Sequence, residues 1–214
     1  MISLETSWAM GDSIICNGIV RHYAEQQEVV LFCKDYMSNH IQYMYRDDPN
    51  IQIQPIKTHD WEALLHPKAD IEVHYLPVPL PDQSMYQRAN VPFEYRWSKF
   101  KFQRDPEREV KLFQKLDIKP GQQYLLYCDT TSTHSYELKL PKIEPKIKVQ
   151  PITDFIFDWI AVAQFAREIH TVDTAFFNLV QSFKYMPKIF LHDLKVGCPH
   201  PTLLSQTSLV KYKR

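Results

Sequence analysis

Glycine is nearly absent from this chain, at 4 residues in 214, while proline reaches 15. Neither a G-x-G-x-x-G nor a G-x-x-x-x-G-K-[ST] run occurs, so a standard dinucleotide site and a P-loop nucleoside triphosphatase are both unsupported. Charge of one sign is lacking too. Lysine plus arginine and aspartate plus glutamate each number 25, for a formal net charge of zero. A nonspecific nucleic-acid binder draws its affinity from an electrostatic excess, which this chain does not have. No apolar run approaches the roughly 20 residues of a membrane span. Cys16, Cys33, Cys128 and Cys198 have no metal-type spacing. Three of them sit in or beside apolar runs, as buried reduced thiols do. The nine histidines form no H-E-x-x-H or other ligand spacing, so no protein-bound metal is expected. Met1 leads directly into a strand-like run rather than a leader peptide. The expectation is a soluble, cytoplasmic protein with no nucleic-acid partner.

What is present is an alternation of strands and helices. The composition, 44% hydrophobic, suits a globular chain with a core. Ile2–Thr6 reads as a strand, Met10-Gly11-Asp12-Ser13 as a tight break, and Ile14–Ala24 as a helix. Glu28–Cys33 is a short apolar run of the kind buried parallel strands show. A helix over Tyr36–Arg46 follows, then a strand over Ile51–Ile56, a short helix over His59–His66 and a strand over Ile71–Leu76. Pro77–Pro92 has no periodicity and reads as a linker or a ligand-facing loop. Asp105 is placed to cap a helix running to Leu116, with Pro106 at its first position.

A second alternating block begins at Tyr124. Tyr124–Cys128 is a strand, Asp129–Ser135 a polar loop and Lys146–Val149 a short strand. The apolar stretch Asp154–Ala166 reads as a buried helix and Glu168–Val172 as a strand. Ala175, Phe176, Leu179, Val180 and Phe183 line one face of a further helix. Lys188–His192 is the last clear strand, and Leu203–Arg214 supplies one more strand or a crossing segment. No repeat of the solenoid kind is present. The expected fold class is α/β, with two small Rossmann-like domains facing a cleft, residues 1–104 and 105–214.

Three constellations could carry chemistry. Asp12 follows the first strand, where open α/β sheets bind ligands, and suits a general base for an acceptor hydroxyl. The same position suits a helix N-cap. The loop Asp129-Thr130-Thr131-Ser132-Thr133 directly follows a buried strand, and its hydroxyls and amides suit phosphate oxygens or simply water. Asp173-Thr174 again places an acid and a hydroxyl at a helix start, with Asp173 a plausible N-cap. A weaker candidate is the basic, aromatic-interleaved stretch of Arg88, Arg96, Lys99, Lys101 and Arg104 with Tyr95, Trp97, Phe100 and Phe102. Charge with stacking suits a base or sugar, and an amphipathic connector has the same pattern.

Trp8-Ala9-Met10-Gly11-Asp12-Ser13-Ile14-Ile15 resembles the first motif of heptosyltransferase-like GT-B glycosyltransferases. Cys128-Asp129-Thr130-Thr131 resembles their donor-phosphate loop, and Thr171-Val172-Asp173-Thr174-Ala175 their late donor-contacting motif. Gly11–Arg21 with Tyr43–Asp47 is also similar to a group of short bacterial and viral members. The resemblance implies an inverting, metal-independent transfer from a nucleotide-sugar co-substrate to a glycan or small-molecule acceptor, with no other cofactor. It implies Asp12 as the base and Thr130, Thr131, Asp173 and Thr174 as donor contacts. Gly11, Ser13, Asn17 and Arg96 are then the substrate-binding candidates. The chain is much shorter than a typical two-domain enzyme of this kind, and Ser13 stands where the short members often have histidine. No lysine follows Thr131 closely, Lys139 being the nearest, and Ala175-Phe176-Phe177 stand where a glycine and a histidine are usual. A noncatalytic binding or scaffold protein of the same fold is the alternative.

Overall fold

Two stretches of chain each build their own all-parallel sheet. The computed structural model describes residues 1–6, 9–62, 68–73, 79–194 and 201–212. It divides into one unit of residues 1–103 with 199–202 and a second of residues 104–198 with 203–214. Trp8, His66, His74, Tyr75, Leu76, Gly197 and Cys198 lie outside the described residues.

The first unit runs β1 (Ile2–Glu5), α1 (Met10–Ile15), α2 (Asn17–Ala24), β2 (Val29–Lys34), α3 (Ser38–Tyr45), β3 (Ile51–Ile56), α4 (Thr58–Glu62), β4 (Ile71–Glu72), α5 (Pro81–Arg88) and α6 (Tyr95–Ser98). Its sheet order is β3-β2-β1-β4. The continuous apolar run Val29–Cys33 makes β2 an interior strand, with Val29 and Leu31 at most 1% exposed. The alternating sequence of β3 places it at an edge, where only Ile51 and Ile56 are buried.

Three expectations change here. The break expected at Met10–Ser13 is helix α1, which begins after the extended Ala9. The interruption falls instead at Cys16, between α1 and α2. Burial explains the difference: Ile14, Ile15, Ile19 and Val20 all enter the core at 0–4% exposure, which outweighs the helix penalty of Gly11. The proline-rich stretch is not all loop, because Pro81–Arg88 forms α5 with Pro81 at a first-turn position that needs no N–H. Met85 and Tyr86 anchor it at 0% exposure. The strand at Ile71 is described only to Glu72, with Val73 adding one more hydrogen bond to the Glu5 carbonyl (2.7 Å).

Gly18 is required by a close approach. A Cβ there would lie 2.0 Å from the Tyr95 carbonyl oxygen and 2.7 Å from the Tyr86 hydroxyl. The backbones of α2 and α6 meet at that point.

The second unit runs α7 (Pro106–Lys115), β5 (Leu125–Cys128), β6 (Lys146–Lys148), α8 (Trp159–Phe165), β7 (Glu168–Thr171), α9 (Ala175–Gln181), β8 (Ile189–Asp193) and β9 (Thr207–Lys211), in sheet order β6-β5-β7-β8-β9. The tail is thus a fifth strand, paired with β8. The Asp105 carboxylate caps α7 by accepting from the Arg108 N–H (3.2 Å), with Pro106 next to it. The apolar stretch after Asp154 is shorter as α-helix than its sequence suggests, since Ile156–Asp158 is a 3-10 turn. Trp159, Ile160, Val162 and Ala163 of α8 are at most 1% exposed, and so are Phe177, Leu179 and Val180 of α9. Truncating one such side chain to alanine costs about 2–5 kcal/mol.

Candidate functional site

At the carboxyl edge of the first sheet, Asp12 sits in the first turn of α1, just past β1. It is not the N-cap; Ala9 holds that place and makes no side-chain cap. The residue is half-buried. An acid in a first helical turn is favoured by the unpaired backbone N–H groups there. Cys16, one turn on, is fully buried, and burial pushes its thiol well up. The charge of Asp12 adds to that rise and that of Arg96 opposes it. Asp12 and Arg96 therefore act on one neighbourhood.

Of the other candidates in this unit, Ser13, Asn17 and Arg96 are all held by protein partners. The Ser13 hydroxyl is buried and donates to the Ala9 carbonyl of its own helix (3.3 Å). Asn17 is 0% exposed, and both ends of its amide bond the Lys101 backbone, at 3.1 Å and 3.0 Å. Its work is to hold the 100–103 segment against α2, assisted by Arg21. That guanidinium also bonds the Lys101 carbonyl (3.1 Å) and pairs with Asp47 (2.6 Å) and Asp48 (2.9 Å). Arg96 is not a solvent-facing cation on a connector. It is 1% exposed and ion-paired with Asp82, itself 0% exposed. Burial lowers its proton affinity and the Asp82 charge restores part of it. The Asp82 carboxylate also accepts from the Thr202 N–H (2.9 Å). Gly11 remains at the start of α1, half-buried.

At the carboxyl edge of the second sheet, β5 and β7 are adjacent and in parallel register, with Cys128 beside Thr171. Their following loops therefore lie side by side. The Cys128 sulfur is 3.7 Å from the Thr130 carbonyl and 4.0 Å from the Thr174 hydroxyl. The structure thus brings the second and third constellations, the loop after β5 and Asp173-Thr174, together. Thr130 is exposed, and its hydroxyl donates to the Asp129 carboxylate (2.7 Å). Thr131 closes the loop on itself: its hydroxyl accepts from the His134 N–H (3.0 Å) and donates to the His134 carbonyl (3.3 Å). Thr174, not Asp173, caps α9, accepting from the Phe177 N–H (3.2 Å). Asp173 precedes the cap and is half-buried.

One cation beside this loop was not among the sequence candidates. Lys148, at the end of β6, is in register beside Tyr127 of β5, and its ammonium reaches the Asp129 carboxylate at 2.7 Å. Burial alone would raise the Asp129 carboxyl, but the hydrogen bonds from Lys148 and Thr130 outweigh it and hold the acid below its ordinary range. The same hydrogen bond raises Lys148. A cation from the neighbouring strand therefore stands beside the loop. Its signal in the sequence was the Lys-x-Lys alternation of β6, one face of which ends at that loop.

A cavity of about 310 Å³ in this unit is lined by Arg108, Lys111, Leu112, Lys115 and residues 152–154. None of these belongs to the loops after β5 and β7. Among the described residues there is no cluster of three metal-ligating side chains and no helix long and apolar enough to cross a membrane.

No family model matches the sequence, and no curated protein is similar to it in sequence. Solved structures are similar in fold. One is the Escherichia coli ADP-heptose LPS heptosyltransferase II, at TM-score 0.57 and 8% identity over 98% of this chain and 90% of that one. A family 9 glycosyl transferase from Veillonella parvula gives 0.52 and 9%, covering 99% and 86%. An E. coli heptosyltransferase solved with ADP gives 0.50 and 9%, covering 99% and 90%. The two parallel sheets of this chain therefore have the α/β fold of heptosyltransferase-like GT-B glycosyltransferases, a likeness that at these identities is one of fold.

Proposed function

We propose that this chain is a glycosyltransferase that moves a sugar from a nucleotide-sugar donor to an acceptor hydroxyl, with inversion and without a metal. The observation that carries the reading is the place of Asp12. It is a half-buried acid in the first helical turn after β1, at the edge where open parallel sheets bind ligands. In this reading Asp12 takes the acceptor O–H proton while the acceptor oxygen attacks the anomeric carbon. The bond from that carbon to the diphosphate breaks, and the nucleoside diphosphate leaves with the electron pair. Negative charge grows on the leaving group in the transition state, where preorganised donors act most strongly. Lys148, Thr130 and the amides at Thr174 supply that offset, with Lys148 exchanging the Asp129 carboxylate for a phosphate oxygen. Asp173 orients the donor.

A second reading, a noncatalytic binding protein of the same fold, is favoured by the closed hydrogen bonding of the loop. The Thr131 and Thr174 hydroxyls and the Lys148 ammonium all have protein partners.

The deciding experiment is a thermal-shift screen of nucleoside diphosphates and nucleotide sugars, followed by turnover of Asp12→Asn with any donor found. A ligand at about 100 times its Kd adds about 2.7 kcal/mol of stability, so binding is readily seen. The transferase reading expects a metal-independent shift with one nucleotide and a fall of about 10²–10⁴ in rate for Asp12→Asn. Wild-type turnover by that variant removes Asp12 as the base. No shift with any donor favours the noncatalytic protein.

A further inference from the structure

The proposed reaction makes no use of a buried hydrogen-bonded chain in the second sheet. His170 of β7 and His192 of β8 are 4% and 1% exposed. His170 Nδ1 lies 2.9 Å from His192 Nε2. His170 Nε2 lies 3.2 Å from the Glu168 carboxylate, and His192 Nδ1 lies 2.6 Å from the Tyr212 hydroxyl. That hydroxyl oxygen also accepts the Lys139 backbone N–H at 2.9 Å. The strand repeat of two puts Glu168 and His170 on one face, and the pairing of His170 with Phe190 adds Phe190 and His192 to it. The Phe190 ring stacks on His170 with centroids 4.6 Å apart.

These contacts fix every proton. A carboxylate only accepts, so His170 carries its proton on Nε2. Its Nδ1 is then a lone pair and must receive the His192 Nε2–H. His192 Nδ1 is in turn a lone pair and receives the Tyr212 O–H. The Tyr212 oxygen receives Lys139. The chain runs one way, from Lys139 to Glu168, with both imidazoles neutral and every link satisfied.

One added proton reverses it. If the proton sits on His192, an N–H at Nδ1 faces Tyr212. If it sits on His170, the Nδ1–H there needs a bare Nε2 on His192, whose own proton must move to Nδ1, again facing Tyr212. In both microstates the Tyr212 oxygen accepts the His192 Nδ1–H, so its own O–H must turn away from His192 and compete for the side of the oxygen that receives the Lys139 N–H. Two protons cannot enter, because two N–H groups would then face each other across 2.9 Å.

We propose that Glu168, His170, His192 and Tyr212 form a one-proton latch, which ties the chain at Lys139 to Tyr212 at the exit of β9 when neutral and releases Lys139 when protonated. The charged and titratable groups around it are Glu168 on β7, Tyr212 after β9, Lys139, and Lys188, whose ammonium lies over the Phe190 ring (5.0 Å). Tyr127 on β5 and Lys148 on β6 share the face by register. Only Glu168 among them favours a cation on the pair, and it touches only His170. Burial, with the neighbouring His170 charge, pushes His192 down to about 4, in keeping with a latch closed at neutral pH. Burial also lowers His170, although Glu168 pulls the other way.

The test is nitrogen NMR of the histidine rings, with hydrogen exchange at the Lys139 amide, on the full chain between pH 4 and 8. Both rings are expected as neutral Nε2–H tautomers at pH 7.5. The pair should take up a single proton at least one pH unit below the ordinary histidine value of about 6.5, and Lys139 protection should fall at least tenfold in the same step. A ring found as Nδ1–H at pH 7.5, titration at the ordinary histidine value, or Lys139 protection unchanged through the step overturns the proposal. Tyr212→Phe keeps the ring and removes only the O–H. It should cost Lys139 its protection at pH 7.5 and perturb the His192 ring nitrogens, and if both stay as in the wild type there is no latch.

Discussion

The ammonium of Lys148 lies 2.7 Å from the Asp129 carboxylate, although 19 positions separate them in the chain. The parallel pairing of β5 with β6 sets this distance. The pair is partly exposed, at 32% and 16%, so its contribution to stability is small, about 0–1 kcal/mol.

Lys148→Gln tests the proposed donor role against a structural one. It should leave the urea midpoint nearly unchanged and weaken any nucleoside diphosphate that binds by about tenfold or more. Equal binding by the variant and the wild type, measured calorimetrically, removes Lys148 from the donor site.

Thr174 has two possible duties, and two substitutions separate them. Thr174→Ala removes the cap that accepts from Phe177, at a cost of about 1 kcal/mol. Thr174→Asn restores a capping oxygen and should recover most of that stability. If the asparagine variant is stable but binds donor poorly, the threonine hydroxyl is itself a ligand contact. If binding recovers with stability, Thr174 acts only by ordering α9.

Gly18→Ala should be strongly destabilising, by about 2 kcal/mol or more, because the methyl would meet the Tyr95 carbonyl at 2.0 Å. The contact is with backbone, which cannot rotate aside. A denaturation midpoint close to wild type would mean that α2 and α6 separate easily.

Stability should fall as pH drops from about 6.5 to about 4. Burial lowers both His170 and His192 from an ordinary value of 6.5, His192 to about 4, so the unfolded chain binds more protons across that window. Their contribution is complete above 6.5, and on the order of 2–3 kcal/mol is lost by pH 4. Asp47 and Asp129 are held below the ordinary 3.8, so their contribution is complete above that value and disappears as pH falls through their folded values. Urea titrations at pH 7.5, 5.5 and 4 check the sign. A flat profile above pH 5 contradicts it.

The order of elements was legible because each rests on a local rule. A continuous run of β-branched and apolar residues marks β2, and an aspartate before a proline marks the start of α7. The position of Asp12 after β1 was legible for the same reason. Its place within the helix rather than before it was not, since the start of α1 depends on where Ile14 and Ile15 find a core.

The candidate site divides along the same line. Sequence alone determined which residues follow β1, β5 and β7, and hence that Asp12, Thr130 and Asp173-Thr174 stand at carboxyl edges of sheets. Only the tertiary structure decided what each side chain does there. It turned Asn17 inward to Lys101, buried Arg96 against Asp82, and spent the Thr131 hydroxyl on its own loop. It brought Lys148 to Asp129 and His170 to His192 across strand boundaries. The reason is physical. Local propensity acts over a few residues, whereas a buried charge or imidazole must find its partner through strand register and packing, and neither is written in any short window of sequence.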